Sequence, residues 1–118
     1  MPSHPLPPAR RLRRRGEFQR VFDAGRRAHG RYLTIIASPS AGPDSRLGIV
    51  ASRKFGGAVV RNRAKRLIRE AFRTSAGPAA AVDLVIIPKA AATKVTGPEL
   101  ANDYATTLTR MGLSRPRT

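Results

Sequence analysis

The sequence contains no cysteine and no tryptophan. Without cysteine there can be no disulfide, no thiolate zinc site and no thiol nucleophile, and the composition fits a reducing compartment. Aromatic residues are few, four Phe and two Tyr, so any stacking falls to a handful of positions. Acids are scarce: Asp and Glu number 7 and are scattered singly, with no clustered acidic metal motif and no acid/base pair. His4 and His29 have no metal-ligand or triad partner nearby in sequence and read as surface residues. Ser38 and Ser52 lack the context of a nucleophile elbow. No GxxxxGK[ST] loop and no internal repeat occurs, and Gly56-Gly57 is too isolated to cradle a phosphate. No apolar run reaches the roughly 18 residues of a membrane span. Pro2, Pro5, Pro7 and Pro8 crowd the basic N-terminus with no apolar run behind them, which is unlike a secretory signal. The expectation is a soluble, cytoplasmic protein with no catalytic constellation and no metal site of its own.

What the sequence has in excess is positive charge. Lys and Arg number 23 against 7 acids, a formal net charge of +16 in 118 residues, with a pI near 12.0. A single domain that repels itself so strongly calls for a polyanionic partner, and nucleic acid is the first class to consider. A membrane surface is the rival, but no long basic amphipathic helix with bulky apolar anchors is present.

In chain order, residues 1–9 are Pro-rich and are expected to be extended or disordered. Residues 10–15, RRLRRR, form a basic arm, equally readable as a solvated charge run or a phosphate contact. Residues 16–28 read as a short helix with Gly16 as cap, Glu17 in the first turn, and Phe18, Val21 and Phe22 on one face. That stripe can be plain core or a partly open stacking face; spacing alone points to core. Residues 31–39 and 46–55 read as two strands joined by the turn SAGPDS, expected to pair as an antiparallel hairpin. Alternation places Leu47, Ile49 and Ala51 on one face of the second strand, and Gly48, Val50 and Ser52 on the other. Residues 74–81 are a linker, 82–88 (VDLVIIP) a third strand of sheet-centre type, and 90–95 a loop. Thr96-Gly97-Pro98-Glu99 is a capping box that starts a helix with a Leu100, Tyr104, Leu108, Met111 seam.

The chain is organised around residues 58–73, AVVRNRAKRLIREAFR, which place six basic side chains in sixteen residues. On a helical wheel Ala64, Leu67 and Ala71 fall within about 40° of Val60, and Ile68 and Phe72 widen that seam. Asn62, Arg63, Lys65, Arg66, Arg69 and Arg73 fill the remaining arc, with Glu70 the single acid and Arg61 at the seam edge. Neighbours such as Lys65/Arg69 and Arg69/Arg73 repel by a few tenths of a kcal/mol each. Phosphates laid across the face would remove that repulsion. These residues alone support a basic RNA- or DNA-binding α+β domain.

Residues 52–73, SRKFGGAVVRNRAKRLIREAFR, closely resemble the hallmark motif of the bacterial ribonuclease P protein family. The motif has a basic pair after a strand, here Arg53 and Lys54. Ala58-Val59, Arg61-Asn62-Arg63, Lys65-Arg66 and Arg69 follow. Phe18, Phe22 and Gly25, the strand beginning Arg31-Tyr32-Leu33, and residues 82–89 extend the likeness over roughly residues 10–111. The resemblance implies an α+β fold: a small mixed sheet with helices in a two-layer sandwich, order α-β-β-α-β-α with room for a further short strand. It also implies a left-handed β-α-β crossover, against the usual rule of hand. By the same resemblance the chain supports an RNA enzyme that removes the 5′ leader of precursor tRNA endonucleolytically. Catalysis then belongs to the RNA subunit and the Mg²⁺ ions it mainly holds. Arg61, Asn62, Arg63, Lys65, Arg66 and Arg69 are implied contacts of the RNA subunit. Phe18, Phe22, Arg53, Lys54 and Lys89 are implied to line the leader cleft between the first helix and the sheet. Three departures from the family pattern are visible. Ile36 stands where some relatives have an aromatic residue, Gly16 stands at the helix cap, and Arg53 replaces the more common Lys.

Two other readings stay open at this stage, a ribosomal or general basic RNA-binding protein and a stand-alone nuclease. The missing carboxylate or histidine cluster argues against the second. The expected organisation is a Pro/Arg-rich, disordered arm at 1–15, one RNA-binding domain at 16–112 and a basic tail at 113–118. The expected partners are ribonuclease P RNA and precursor tRNA, with no membrane and no small-molecule substrate.

Overall fold

The computed structural model describes residues 6–40, 42–74 and 81–113. Its elements are α1 (Arg15–Ala24), β1 (Arg26–His29), β2 (Leu33–Pro39), β3 (Arg46–Ile49), α2 (Ala58–Thr74), β4 (Val82–Pro88) and α3 (Gly97–Arg110). Short 3-10 turns at Pro8–Arg10 and Ala90–Lys94 precede α1 and α3. The strands form one mixed sheet in the order β1-β2-β4-β3, antiparallel except for the parallel pair β3/β4. The step from β3 to β4 passes through α2, so the cationic helix is itself the β-α-β connection.

The expected hairpin of residues 31–39 with 46–55 is not formed, because β4 lies between the two strands. The reason is burial: six of the seven β4 residues are buried, so it takes the sheet centre, where both edges and both faces are covered. β3 ends at Ile49, and residues 50–57 form the turns that lead into α2. The first helix is also shorter than expected. It stops at Ala24, and residues 26–29 become edge strand β1 on β2. Gly25 allows the change of direction: a Cβ there would press on Val21 O and on Ile36 Cγ2 of β2. The helix starts at Arg15 with Arg14 as cap, and Glu17 Oε1 accepts the Arg13 and Arg14 backbone N–H groups at 2.9 Å each.

The arm was expected to be disordered, yet residues 6–14 are folded onto the domain. Leu6 and Leu12 are buried, Leu12 N donates to Leu47 O at 3.0 Å, and Arg10 Nε donates to Ser45 O at 2.7 Å. Two apolar side chains six residues apart give this arm enough to bury. Residues 1–5, most of the 74–81 linker, and the 114–118 tail lie outside the described residues.

Alternation along the strands divides the core in two. Leu33, Ile35 and Ala37 of β2, Leu47 of β3 and Leu84 and Ile86 of β4 face α2 and α3. They pack with Leu67, Ile68, Phe72, Leu100, Tyr104 and Leu108 into the main core. Ile36 and Val85 face the other way and join Leu12 and Val21 in a smaller cluster beneath α1. The two-layer arrangement of sheet on α2 and α3 therefore carries α1 as a partial third layer. The α3 cap forms as its sequence requires, with Glu99 N donating to Thr96 Oγ1 at 3.2 Å and Thr96 N to Glu99 Oε1 at 3.1 Å. The Thr96 backbone N–H first, and then its hydroxyl, which donates to Glu99 Oε1 at 2.9 Å, hold the Glu99 carboxyl below the usual carboxylate range.

Candidate nucleic-acid interface

On α2, Ala64, Leu67, Ile68, Ala71 and Phe72 are buried, which commits one face to the core and turns the cationic arc outward. Asn62, Arg66 and Arg73 are exposed; Arg61, Arg63, Lys65 and Arg69 are half-buried. None of these cations makes an ion pair among the described residues; the two ion pairs found there both belong to Arg46. Arg63 is the exception in one respect, since its Nη2 donates to Val95 O at 2.6 Å and ties α2 to the segment before α3. Val59, 83% exposed, is the large apolar side chain left in water beside this arc.

On the opposite side of the sheet, α1 covers only part of its face. Val21 is fully buried there, while Phe18 and Phe22 flank it half-buried. Val50 and Ile87 form the half-exposed floor beside them. The aromatic stripe thus serves both purposes weighed from its spacing: Val21 is core, and the two Phe rings are partly open. The Phe18 ring lies on Gly48, where a Cβ would come within 2.7 Å of its Cζ. The Arg27 guanidinium sits 5.9 Å from the Phe22 ring centre, adding a cation over the aromatic face. Sequence reasoning missed Arg27 because its segment read as helix; as a β1 residue opposite Ile36 it shares the α1 face of the sheet.

Arg53 and Lys54 are both exposed in the turn after β3, without a hydrogen-bond or ion-pair partner among the described residues. No described contact joins them to Phe18 or Phe22. Lys89 is placed differently: half-buried, with Nζ donating to Gly30 O at 2.7 Å. It closes the β1–β2 turn, and any phosphate would compete with that carbonyl. Ile36 is fully buried under α1 and offers no stacking surface.

A second group missed in sequence fixes α1 over the sheet. Arg46 Nε and Nη2 donate to the Asp83 carboxylate at 2.9 and 2.8 Å, and Nη1 donates to Glu17 Oε2 at 2.6 Å. Asp83 is 2% exposed, so the bidentate pair is well shielded from water. The backbone N–H groups of Arg14 and Arg13, and then Arg46, lower the Glu17 carboxyl from 4.5 to about 2. Arg46 itself is raised further by Asp83. Only the coincidence of β3, β4 and α1 at one point reveals this network, and none of its members is close in sequence.

Fold and surface together define a class: a small α+β nucleic-acid-binding domain in which a cationic helix links two parallel strands and an open aromatic face lies across the sheet. Comparison with known proteins makes the assignment specific. The family model described as ribonuclease P matches residues 6–112. The ribonuclease P protein component of Citrifermentans bemidjiense is 32% identical over 111 residues, spanning 94% of this chain and 96% of that protein. Among solved structures, the RNase P protein from Thermotoga maritima superposes with a TM-score of 0.77 at 33% identity, over 85% of this chain and 96% of that one. The Staphylococcus aureus RNase P protein superposes with a TM-score of 0.82 at 28% identity, over 90% and 98%. The chain belongs to the ribonuclease P protein family, the protein component of an endoribonuclease that works with an RNA partner.

Proposed function

We propose that this chain binds the catalytic RNA of ribonuclease P through α2 and the 5′ leader of precursor tRNA across the α1 face of the sheet, in the cytoplasm. The observation that carries the reading is the contrast between Arg46 and α2. Arg46 meets two carboxylates, whereas the α2 cations meet none among the described residues. Arg61, Asn62, Arg63, Lys65, Arg66 and Arg69 then lie along the backbone of the RNA subunit, each neutralised phosphate releasing counterions. Phe18 and Phe22 offer half-open rings on which leader bases stack without regard to identity, a contact worth about 1–3 kcal/mol per base. Arg27, Arg53 and Lys54 supply cations for the leader backbone. Lys89 joins them only by leaving Gly30 O.

The chain contributes binding and no proton transfer. Cleavage chemistry rests with the RNA and the Mg²⁺ ions it holds. By neutralising phosphates in both RNAs, the protein lowers the repulsion between enzyme and substrate and so the Mg²⁺ concentration that cleavage requires. The test is cleavage of precursor tRNA by the RNA subunit at low Mg²⁺, with and without the chain. Strong stimulation by the chain is expected, with no cleavage by the protein alone. Absence of stimulation would favour a general RNA-binding role instead.

A further inference from the structure

Between the arm, α2 and the β3 edge lies a cavity of about 180 Å³ that joins the α2 face, through Lys65 and Arg69, to the inner side of the Phe18 ring over Gly48. Its buried apolar walls include Leu6 and Leu12 of the arm, with Ile49 half-exposed at the sheet edge. Arg11, Lys65 and Arg69, all half-buried, are its cations, and no acid lines it. The Nε of Arg11 is buried and has no hydrogen-bond partner among the described residues. A buried guanidinium N–H left in that condition is destabilising unless something accepts from it. The arm pairs with the β3 edge only around Leu47 and leaves the strand open beyond it. Lys65 and Arg69 therefore stand both on the cationic arc of α2 and at this cavity.

We propose that this cavity takes a single unstacked nucleotide of the RNA subunit, with the base against the apolar walls and the phosphate on Arg11, Lys65 and Arg69. Apolar walls of this size suit one flat base, and a mouth with three cations and no acid suits a phosphate. The proposal rests on the reading of α2 as the grip on the RNA subunit and gives the arm a part in it. It also assigns a task to the ordered arm, which completes the cavity that α2 alone does not form.

The test measures base reactivity to chemical probes across the RNA subunit, free and bound to the full chain, for wild type, Ile49→Phe and Arg11→Gln. In the wild-type complex one unpaired base is expected to be protected. Ile49→Phe fills the cavity; it should return that base to its free reactivity and weaken binding about 5- to 140-fold, the range of one lost base stack. Backbone protection along the α2 contact should persist in that variant. Arg11→Gln should lower the salt slope of binding by about one. Base reactivities identical for Ile49→Phe and wild type would overturn the proposal, as would protection of backbone without any base, or a protected base in the precursor leader instead. Should Ile49→Phe fail to fold by circular dichroism, an unchanged salt slope for Arg11→Gln overturns it alone. If wild-type protein protects nothing in the RNA subunit, the α2 reading fails first, and this pattern differs from every other outcome.

Discussion

At the level of single residues, the cations of α2 are not equivalent. Arg66 is exposed and has no protein partner among the described residues, whereas Arg63 donates at 2.6 Å to Val95 O. Arg66→Glu is therefore expected to weaken RNA-subunit binding and lower its salt slope by about one or more, with the thermal midpoint unchanged. Arg63→Ala should cost stability as well, about 1.5–3 kcal/mol for a hydrogen bond from a charged group. Paired binding isotherms and melting curves separate the two; equal stability losses would mean that the Val95 contact contributes nothing. Phe18 poses a related question on the other face. Its ring rests on Gly48 yet stays half-open, so Phe18→Ala should raise KM for precursor with a long leader more than for one with a single-nucleotide leader. A uniform rise across leader lengths would mean folding damage instead. Residue placement was legible where type and period agree, as on α2, whose apolar seam is buried and whose cationic arc faces outward. Lys89 was not, because its capture by a backbone carbonyl fifty-nine residues away leaves no trace in local sequence.

Among the elements, helices could be read from the sequence and strand pairing could not. The seams of α2 and α3 follow the 3.6 period, and the Thr96–Glu99 cap is local, so both helices emerged with their buried faces. β1 was hidden because RRAH carries no apolar alternation; it is an edge strand held by pairing with β2 and by bonds to α3 and its C-terminal end, where Arg110 donates to His29 O and Arg26 to Met111 O. The β3/β4 pairing is nonlocal and parallel, and nothing near β3 announces that β4 will separate it from β2. The Arg46 network makes one testable demand at this scale. Glu17 has its carboxyl lowered from 4.5 to about 2 in the folded state. A depressed carboxyl contributes stability that is complete above its unfolded value and is lost as pH falls from about 4.5 towards 2. Glu17→Gln should lower stability at neutral pH and remove that part of the acid-induced loss. Chemical denaturation at a series of pH values between 2 and 7 checks it, and a variant with the same pH profile as wild type would discount the clamp.

For the molecule as a whole, the sheet acts as a partition. Its main core face holds α2 and α3, and α2 presents cations outward; its other face holds α1 and the two open Phe rings. A protein arranged this way can touch two RNAs at once from opposite sides of one small domain, and its charge of +16 favours both contacts. The extreme charge was readable from composition alone, and it pointed to a polyanion without saying how many. The division between two surfaces follows from the register of β2 and β4, which are apolar on both faces and so give the sequence no alternation from which to read it. The most direct measurement is site-specific crosslinking in the complete complex of protein, RNA subunit and precursor tRNA. A photoreactive side chain is placed at position 66 in one protein and at position 22 in another. Crosslinks from position 66 to the RNA subunit and from position 22 to the 5′ leader are the predicted result. Crosslinks from both positions to the same RNA would contradict the division of labour between the two faces.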